Sequence, residues 1–335
     1  MRRLISLVAA VVIVDTMLFA ALTPLLPEFS ERFHLSKGAA GLLVASYAIG
    51  VLAGAVPAGL AATRFGAKEA ALSGLLVVGA ASVGFAFAGD ARALGLARFA
   101  QGIGSSLAWA GGLSWLIAAV PRNRRGATLG LTLGAAIFGA LLGPVLGGIA
   151  SITGTRTAFT AVGVIAALVA AVGAREAGVR REAPNLSALR PALRSRGFLA
   201  GLWLMLLAAL LFGVLAVLAS LDLARLGWEP WAIGALFFTA AAVEAVLNPL
   251  IGRVVDRRGA LAPVRVALPA GIAVALALAW ADTPALIVAA ALAGSLAWGS
   301  LFTPGMALLS RAAEGVGLPQ ALAFGLMNAA WASGA

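Results

Sequence analysis

An all-α protein built into a membrane is what this sequence predicts. Three observations carry the prediction: an extreme apolar balance, a succession of apolar runs each long enough to cross a bilayer, and a one-sided distribution of charge. Of 335 residues, 62% are apolar, 11% are charged and 41 are glycine. Soluble domains hold about 45–50% apolar and about 25% charged residues. Lipid gives helices no hydrophobic reason to pair, so they associate by close approach over small residues, and the abundant Ala, Gly and Ser suit that.

A helix rises about 1.5 Å per residue and the hydrocarbon core is about 30 Å thick, so a span needs about 20 apolar residues. Ten such runs follow one another at 4–26, 39–62, 70–88, 93–120, 128–152, 158–172, 198–221, 231–251, 264–280 and 285–309. An eleventh begins near Gln320 and is still running at Ala335, so about eleven helices are expected, the last incomplete. Arg2 and Arg3 give the first run the basic start of a leader peptide. Asp15 interrupts its apolar core and nine more runs follow, so it reads as a span.

With the N-terminus placed in the cytoplasm, the inner segments hold 18 basic against 5 acidic residues and the outer loops 5 against 6. That asymmetry is the positive-inside pattern and predicts a multi-pass protein of the cell inner (plasma) membrane. The net charge of +11 therefore orients the chain beside anionic headgroups and calls for no nucleic acid.

The longest polar stretch, 174–197, carries Arg175, Arg180, Arg181, Arg190, Arg194 and Arg196 with Pro184 and Pro191. It reads as a cytoplasmic linker between an N-terminal six-helix bundle over 1–173 and a C-terminal bundle over 198–335. An amphipathic piece near 186–193 is placed on the inner leaflet. An internal repeat supports the division. The turn at 59–66, G-L-A-A-T-R-F-G, is echoed at 252–259 by G-R-V-V-D-R-R-G. Parallel six-helix repeats are the organisation in which substrate binds near the midplane between halves.

Enzymatic readings find little to stand on. The chain has no cysteine and a single histidine, His34. That removes thiolate catalysis, disulfides, Cys/His zinc sites and the HExxH helix, and neither GxSxG nor GxxxxGK[ST] occurs. No enzyme, no metal and no cofactor are expected, and the partners are lipid and a small-molecule substrate.

The two turns resemble the G-x-x-x-D-R-x-G loop signature of the major facilitator superfamily. The second copy keeps Gly252, Asp256, Arg257 and Gly259, while the first has Gly59, Arg64, Gly66 and Lys68 but Thr63 in place of the acid. The resemblance implies a cytoplasmic gate at these residues, with Thr63 either weakening it or serving as a neutral helix cap. The glycines themselves read as tight turns that need no Cβ.

The fifth run, with Gly130, Gly139, Gly143, Pro144, Gly147 and Gly148, resembles the antiporter signature of the drug:proton exporters. Gly139, Gly143 and Gly147 recur every four residues and offer one smooth face to a neighbouring helix, and Pro144 permits a bend. Leu94, Arg98, Gln101, Gly102 and Gly104 in the fourth run resemble a further family signature. An arginine inside a membrane helix costs about 2.5–3.5 kcal/mol on insertion scales, so it must be paired, hydrated or functional. The resemblance implies a part in proton transfer, which a guanidinium plays by tuning a carboxylate.

Asp15 and Glu244 are the carboxylates at membrane depth. A proton and a cationic substrate competing for one such acid would supply the coupling of an exchanger. Asp15, followed by Thr23-Pro24-Leu25-Leu26-Pro27, also resembles the first helix of drug and vesicular-amine exporters. Gln101, Trp109, Ser114, Asn248, Trp298 and Asn328 are candidates to line a cavity.

Taken together, the resemblance implies the major facilitator fold, with two six-helix bundles related by a pseudo-two-fold axis, and proton-coupled efflux by a monomer with the proton as coupling ion. Export of a sugar or other endogenous metabolite, or a paralogue that no longer transports, stays open on the motifs alone.

Overall fold

The computed structural model describes residues 1–180, 183, 185–280 and 283–335, so Arg181 and Pro184 of the linker lie outside the described residues. In order, the helices are α1 (Arg2–Ala20), α2 (Leu22–Arg32), α3 (Lys37–Phe65), α4 (Ala67–Ala86), α5 (Ala91–Ala119), α6 (Arg125–Thr153) and α7 (Thr155–Ala174). After the linker come α8 (Leu189–Ala192), α9 (Arg196–Arg225), α10 (Pro230–Arg258), α11 (Leu261–Ala279), α12 (Pro284–Gly299), α13 (Phe302–Val316) and α14 (Gln320–Gly334). Short 3-10 turns occupy Arg122–Arg124 and Leu186–Ala188, and no strand occurs among the described residues.

Among the described residues, ten helical stretches are long and apolar enough to cross a membrane, each overlapping a predicted run. Capping residues start several of them. Ser36 Oγ accepts the Ala39 N–H (3.2 Å) at α3 and Asp90 Oδ1 the Ala93 N–H (2.8 Å) at α5, each satisfying a donor that the first turn cannot pair. Hydroxyls inside the spans turn back on their own helix: Ser82 donates to the Val78 carbonyl (2.7 Å) and Thr132 to that of Thr128 (3.0 Å). A hydroxyl with no water to bond takes the carbonyl one turn behind it.

Leu42, Ile49, Leu52, Phe138, Ile149, Leu168, Trp203, Leu218, Val246 and Ile272 are exposed along the helices. In a membrane protein that surface meets lipid. Large apolar side chains thus cover the outside, while α4 packs on α5 and α7, α3 on α5, and α1 on α6. In the second bundle α9 packs on α12, α13 and α14, and α11 on α12.

Two corrections to the sequence reading emerge. The run at 285–309 is two helices, α12 and α13, with Ser300 and Leu301 between them. Pro304 explains the break, because it has no N–H to donate to the Ser300 carbonyl. Of the four turn glycines, only Gly66 (φ 119°) and Gly259 (φ 83°) hold backbone angles that favour glycine. Gly59 and Gly252 lie inside helices and serve close packing: a Cβ on Gly59 would strike the backbone of Ala321 and Leu322 in α14, and one on Gly252 the backbone of Gly126 and Ala127 in α6.

Those two contacts belong to the two seams that join the bundles, α6 on α10 and α3 on α14. The seams repeat each other. A Cβ on Gly130 of α6 would meet the Asn248 carbonyl of α10, and one on Gly325 of α14 would meet the Ala55 carbonyl of α3. The same spacing that relates the two loop motifs relates Ala55 to Asn248, so the pseudo-two-fold relation is written in backbone contacts.

The linker keeps close to the bundles. Lys68 Nζ donates to the carbonyls of Ala174 (2.8 Å) and Glu176 (2.7 Å), at and just past the C-terminal end of α7 where a cation is favoured. Asn185 Nδ2 donates to the Gly317 carbonyl (3.1 Å). Of the amphipathic piece, Ala188 and Ala192 are buried while Leu186 and Leu193 are exposed.

Candidate functional site

Asp15 lies on α1 at a point where α3 and α5 converge, and its carboxylate is buried with three donors upon it. The Tyr47 hydroxyl donates to Oδ1 (3.0 Å), and the Ser105 hydroxyl (2.8 Å) and Trp109 indole N–H (2.9 Å) donate to Oδ2. Ser105 and Trp109 are four residues apart and so share one face of α5. Hydrogen bonds to an ionised acceptor are the strong ones, and three of them offset much of the cost of a charge at this depth.

Arg98, 2% exposed, makes no ion pair with Asp15. It lies over the Tyr47 ring, 4.9 Å from the centroid. Its guanidinium donates to the carbonyls of Leu18 (3.1 Å) and Phe19 (3.2 Å) on α1 and to Gln101 Oε1 (3.1 Å). Arg98 and Asp15 therefore meet through Tyr47, which lies under the guanidinium and donates to the carboxylate. Gln101 is engaged at both ends of its amide: its oxygen accepts from Arg98 and its nitrogen donates to Ser82 Oγ (3.0 Å). Phe19 packs on Tyr47 (centroids 4.9 Å) and on Trp331 of α14 (5.8 Å), so an aromatic cluster crosses from one bundle to the other beside Asp15.

The glycine-rich motif of α6 divides its face between two neighbours. Gly130 meets α10, whereas a Cβ on Gly139 would strike Thr16 and Ile13 of α1, and one on Gly143 would strike Ala20 and Ala21. The predicted single face through Gly139, Gly143 and Gly147 holds for the first two, and Gly147 is also buried. Gly148 has nothing near it and Pro144 is exposed, so neither packs. α6 thus reaches from the Asp15 segment of α1 to the seam with α10.

At that seam the Asp256 carboxylate accepts the backbone N–H groups of Gly126 (2.7 Å) and Ala127 (2.8 Å), capping the first turn of α6 from the other bundle. Arg122 and Arg125 pair with Glu314 of α13 at 2.6 and 2.9 Å. Of the two expectations for Thr63, the neutral cap is not formed: its hydroxyl donates to the Leu60 carbonyl of its own helix (2.8 Å). Arg64 lies over Phe65 (5.6 Å), and Arg257 is exposed and forms no ion pair with any described residue.

Glu244, 4% exposed, stands apart from Asp15, its carboxylate against Gly299 at the end of α12. Asn248 donates to the Glu244 carbonyl (3.1 Å) and accepts the Thr303 hydroxyl (2.9 Å). Asn328 donates to the Ser106 carbonyl (3.3 Å), a tie between the bundles. Ser114 bonds back to Ala110 and Gly111 and lines a small cavity with Thr63 and Ala321, and Trp298 packs over Gly271 and Gly294.

Sequence reasoning missed Tyr47, Ser105, Glu314 and Trp331. Tyr47 is the one tyrosine in the chain and sits in an apolar run, a signal that was available. The others carry none until the helices are packed.

The sequence profile of the Major Facilitator Superfamily matches residues 8–335. Among curated proteins, the MFS-type transporter ppzB of Metarhizium majus is 31% identical over 122 residues, covering 35% of this chain and 26% of that protein. Its counterpart in Metarhizium rileyi is 30% identical over 193 residues, covering 55% and 40%. The chain therefore matches well under half the length of these relatives. Among solved structures, the human organic anion transporter MFSD10 (TETRAN) superposes with a TM-score of 0.76 at 17% identity, covering 99% of this chain and 92% of that one. At that identity the likeness is one of fold.

Proposed function

The chain belongs to the major facilitator superfamily, and on that premise we propose that it exports small hydrophobic or cationic compounds across the cytoplasmic membrane in exchange for protons, as a monomer working by alternating access. The observation that carries this reading is the buried Asp15 carboxylate, held by three donors on a helix that itself packs on α6. Protonation turns one carboxylate oxygen from acceptor to donor, so at least one of the bonds from Tyr47, Ser105 and Trp109 must reverse or break. α1 then shifts against Gly139 and Gly143, and α6 conveys the shift to its seam with α10. The two positions of α1 are the states that proton and substrate bias in opposite directions.

The aromatic cluster of Phe19, Tyr47 and Trp331 supports an apolar or cationic substrate, since ring faces attract cations and cover flat apolar groups. A sugar needs free amides and hydroxyls, and those of Gln101 and Asn248 are occupied internally. The basic excess on the inner segments supports the orientation, with the two seams and the Asp256 latch at the cytoplasmic end.

Proteoliposomes carrying an imposed proton gradient test this. Cationic dyes should accumulate against their own gradient and stop doing so when a protonophore is added. Accumulation of sugars alone, or no response to the gradient, would refute the reading.

A further inference from the structure

Glu244 is a buried charge that the exchange mechanism built on Asp15 does not use, and its surroundings are of a different kind. Asp15 has three donors on its carboxylate and a guanidinium over the ring of one of them. Glu244 forms no ion pair with any described residue, and the side chain that meets its carboxyl is the neutral amide of Asn248. It lies against Gly299, at the C-terminal end of α12, where the helix dipole is negative and a carboxylate is disfavoured. A carboxyl at membrane depth beside a negative helix end is met by a proton or by a cation.

The neighbouring groups are oxygen donors. Ser295 is one turn before Gly299 and so on the same face of α12, is 1% exposed, and its hydroxyl has no hydrogen-bond partner. Thr303 on α13 and Asn248 on α10 add Oγ1 and Oδ1, 2.9 Å apart. Pro304 leaves the Ser300 carbonyl without its helical donor at the break between α12 and α13. An interrupted membrane helix with freed carbonyls, a carboxylate and side-chain hydroxyls is a setting for a hard monovalent cation. A proton calls for a single acceptor, and this cluster brings oxygens from three helices.

We infer that Glu244, Ser295, Asn248 and Thr303 form a Na⁺ site in the second bundle, separate from Asp15. The site is one step from the seam, since the Ala245 carbonyl faces Gly134 of α6, so an ion held there steadies α10 where it meets the first bundle.

The test is thermal unfolding of the purified protein in detergent, in NaCl, KCl and choline chloride at equal ionic strength, with ²²Na⁺ binding measured in parallel. Na⁺ should raise the melting temperature by about 3 °C over choline at concentrations well above its dissociation constant. Glu244→Gln should abolish both the shift and the binding, Ser295→Ala should weaken binding several-fold without unfolding the protein, and Asp15→Asn should leave both intact. An equal response to all three salts, or a Na⁺ shift unchanged in Glu244→Gln and Ser295→Ala, would overturn the proposal. Because the Asp15→Asn arm is read without transport, the Na⁺ site and the exchange mechanism stand or fall separately.

Discussion

The two seams between the bundles are built alike and held differently. In both, a glycine of one helix lies against a carbonyl of its partner, Gly130 on Asn248 and Gly325 on Ala55, so backbone approach is the shared element. The α6–α10 seam adds a carboxylate on a helix N-terminus, and beside it a pair of arginines reaches Glu314 of α13. At the equivalent place in the α3–α14 seam stands Thr63, bonded within its own helix. The difference teaches that close packing alone keeps two membrane helices together, and that the charged latch is an addition that one side of the molecule lacks.

The strongest way to break the comparison is to fill the glycines. Gly130→Leu and Gly325→Leu each force backbones apart, and overpacking costs about 1–3 kcal/mol or more. Both should cut the yield of monodisperse protein in size-exclusion chromatography to a similar degree. A loss confined to one of them would show that the seams do not rest on the same contact.

Next in size is the latch. Asp256→Asn leaves two N–H groups of α6 with a weaker acceptor and should cost about 1 kcal/mol. The chain has no cysteine, so a single thiol introduced at Val255, buried in that seam, reports opening directly. Its labelling rate should rise several-fold in the variant. The reverse substitution on the other side, Thr63→Asp, places a carboxylate at the start of α14 and should stabilise that seam by about 0.5 kcal/mol. Slower labelling of a thiol at Ala62 would register it.

The smallest effect is expected at Arg122, whose side chain is 79% exposed in its pair with Glu314. Exposed pairs contribute little and are screened by salt. Arg122→Gln should leave both labelling rates unchanged at physiological ionic strength.

How much of this was legible follows from the same physics. The spans were, because a bilayer demands about 20 apolar residues from every crossing. Asp15, Arg98 and Glu244 were, because charge in such a run is costly and conspicuous. What Asp15 touches was not: Tyr47 and Ser105 become its donors only when α3 and α5 pack on α1. Glu314 lies outside every motif, and its arginines are some 190 positions away in the chain. Gly59 and Gly252 were visible as glycines but read as turns, since sequence does not tell a glycine that bends the backbone from one that lets another backbone approach. The break at Ser300 hid inside an unbroken apolar run whose one signal was Pro304.

The account turns on proton and substrate competing at Asp15. The direct measurement is proton release from purified protein in weakly buffered detergent solution when a transported dye is added, compared between the natural chain and Asp15→Asn. The account predicts release from the natural chain and none from the variant, with the variant's melting temperature showing it folded. Equal proton release from both would contradict it.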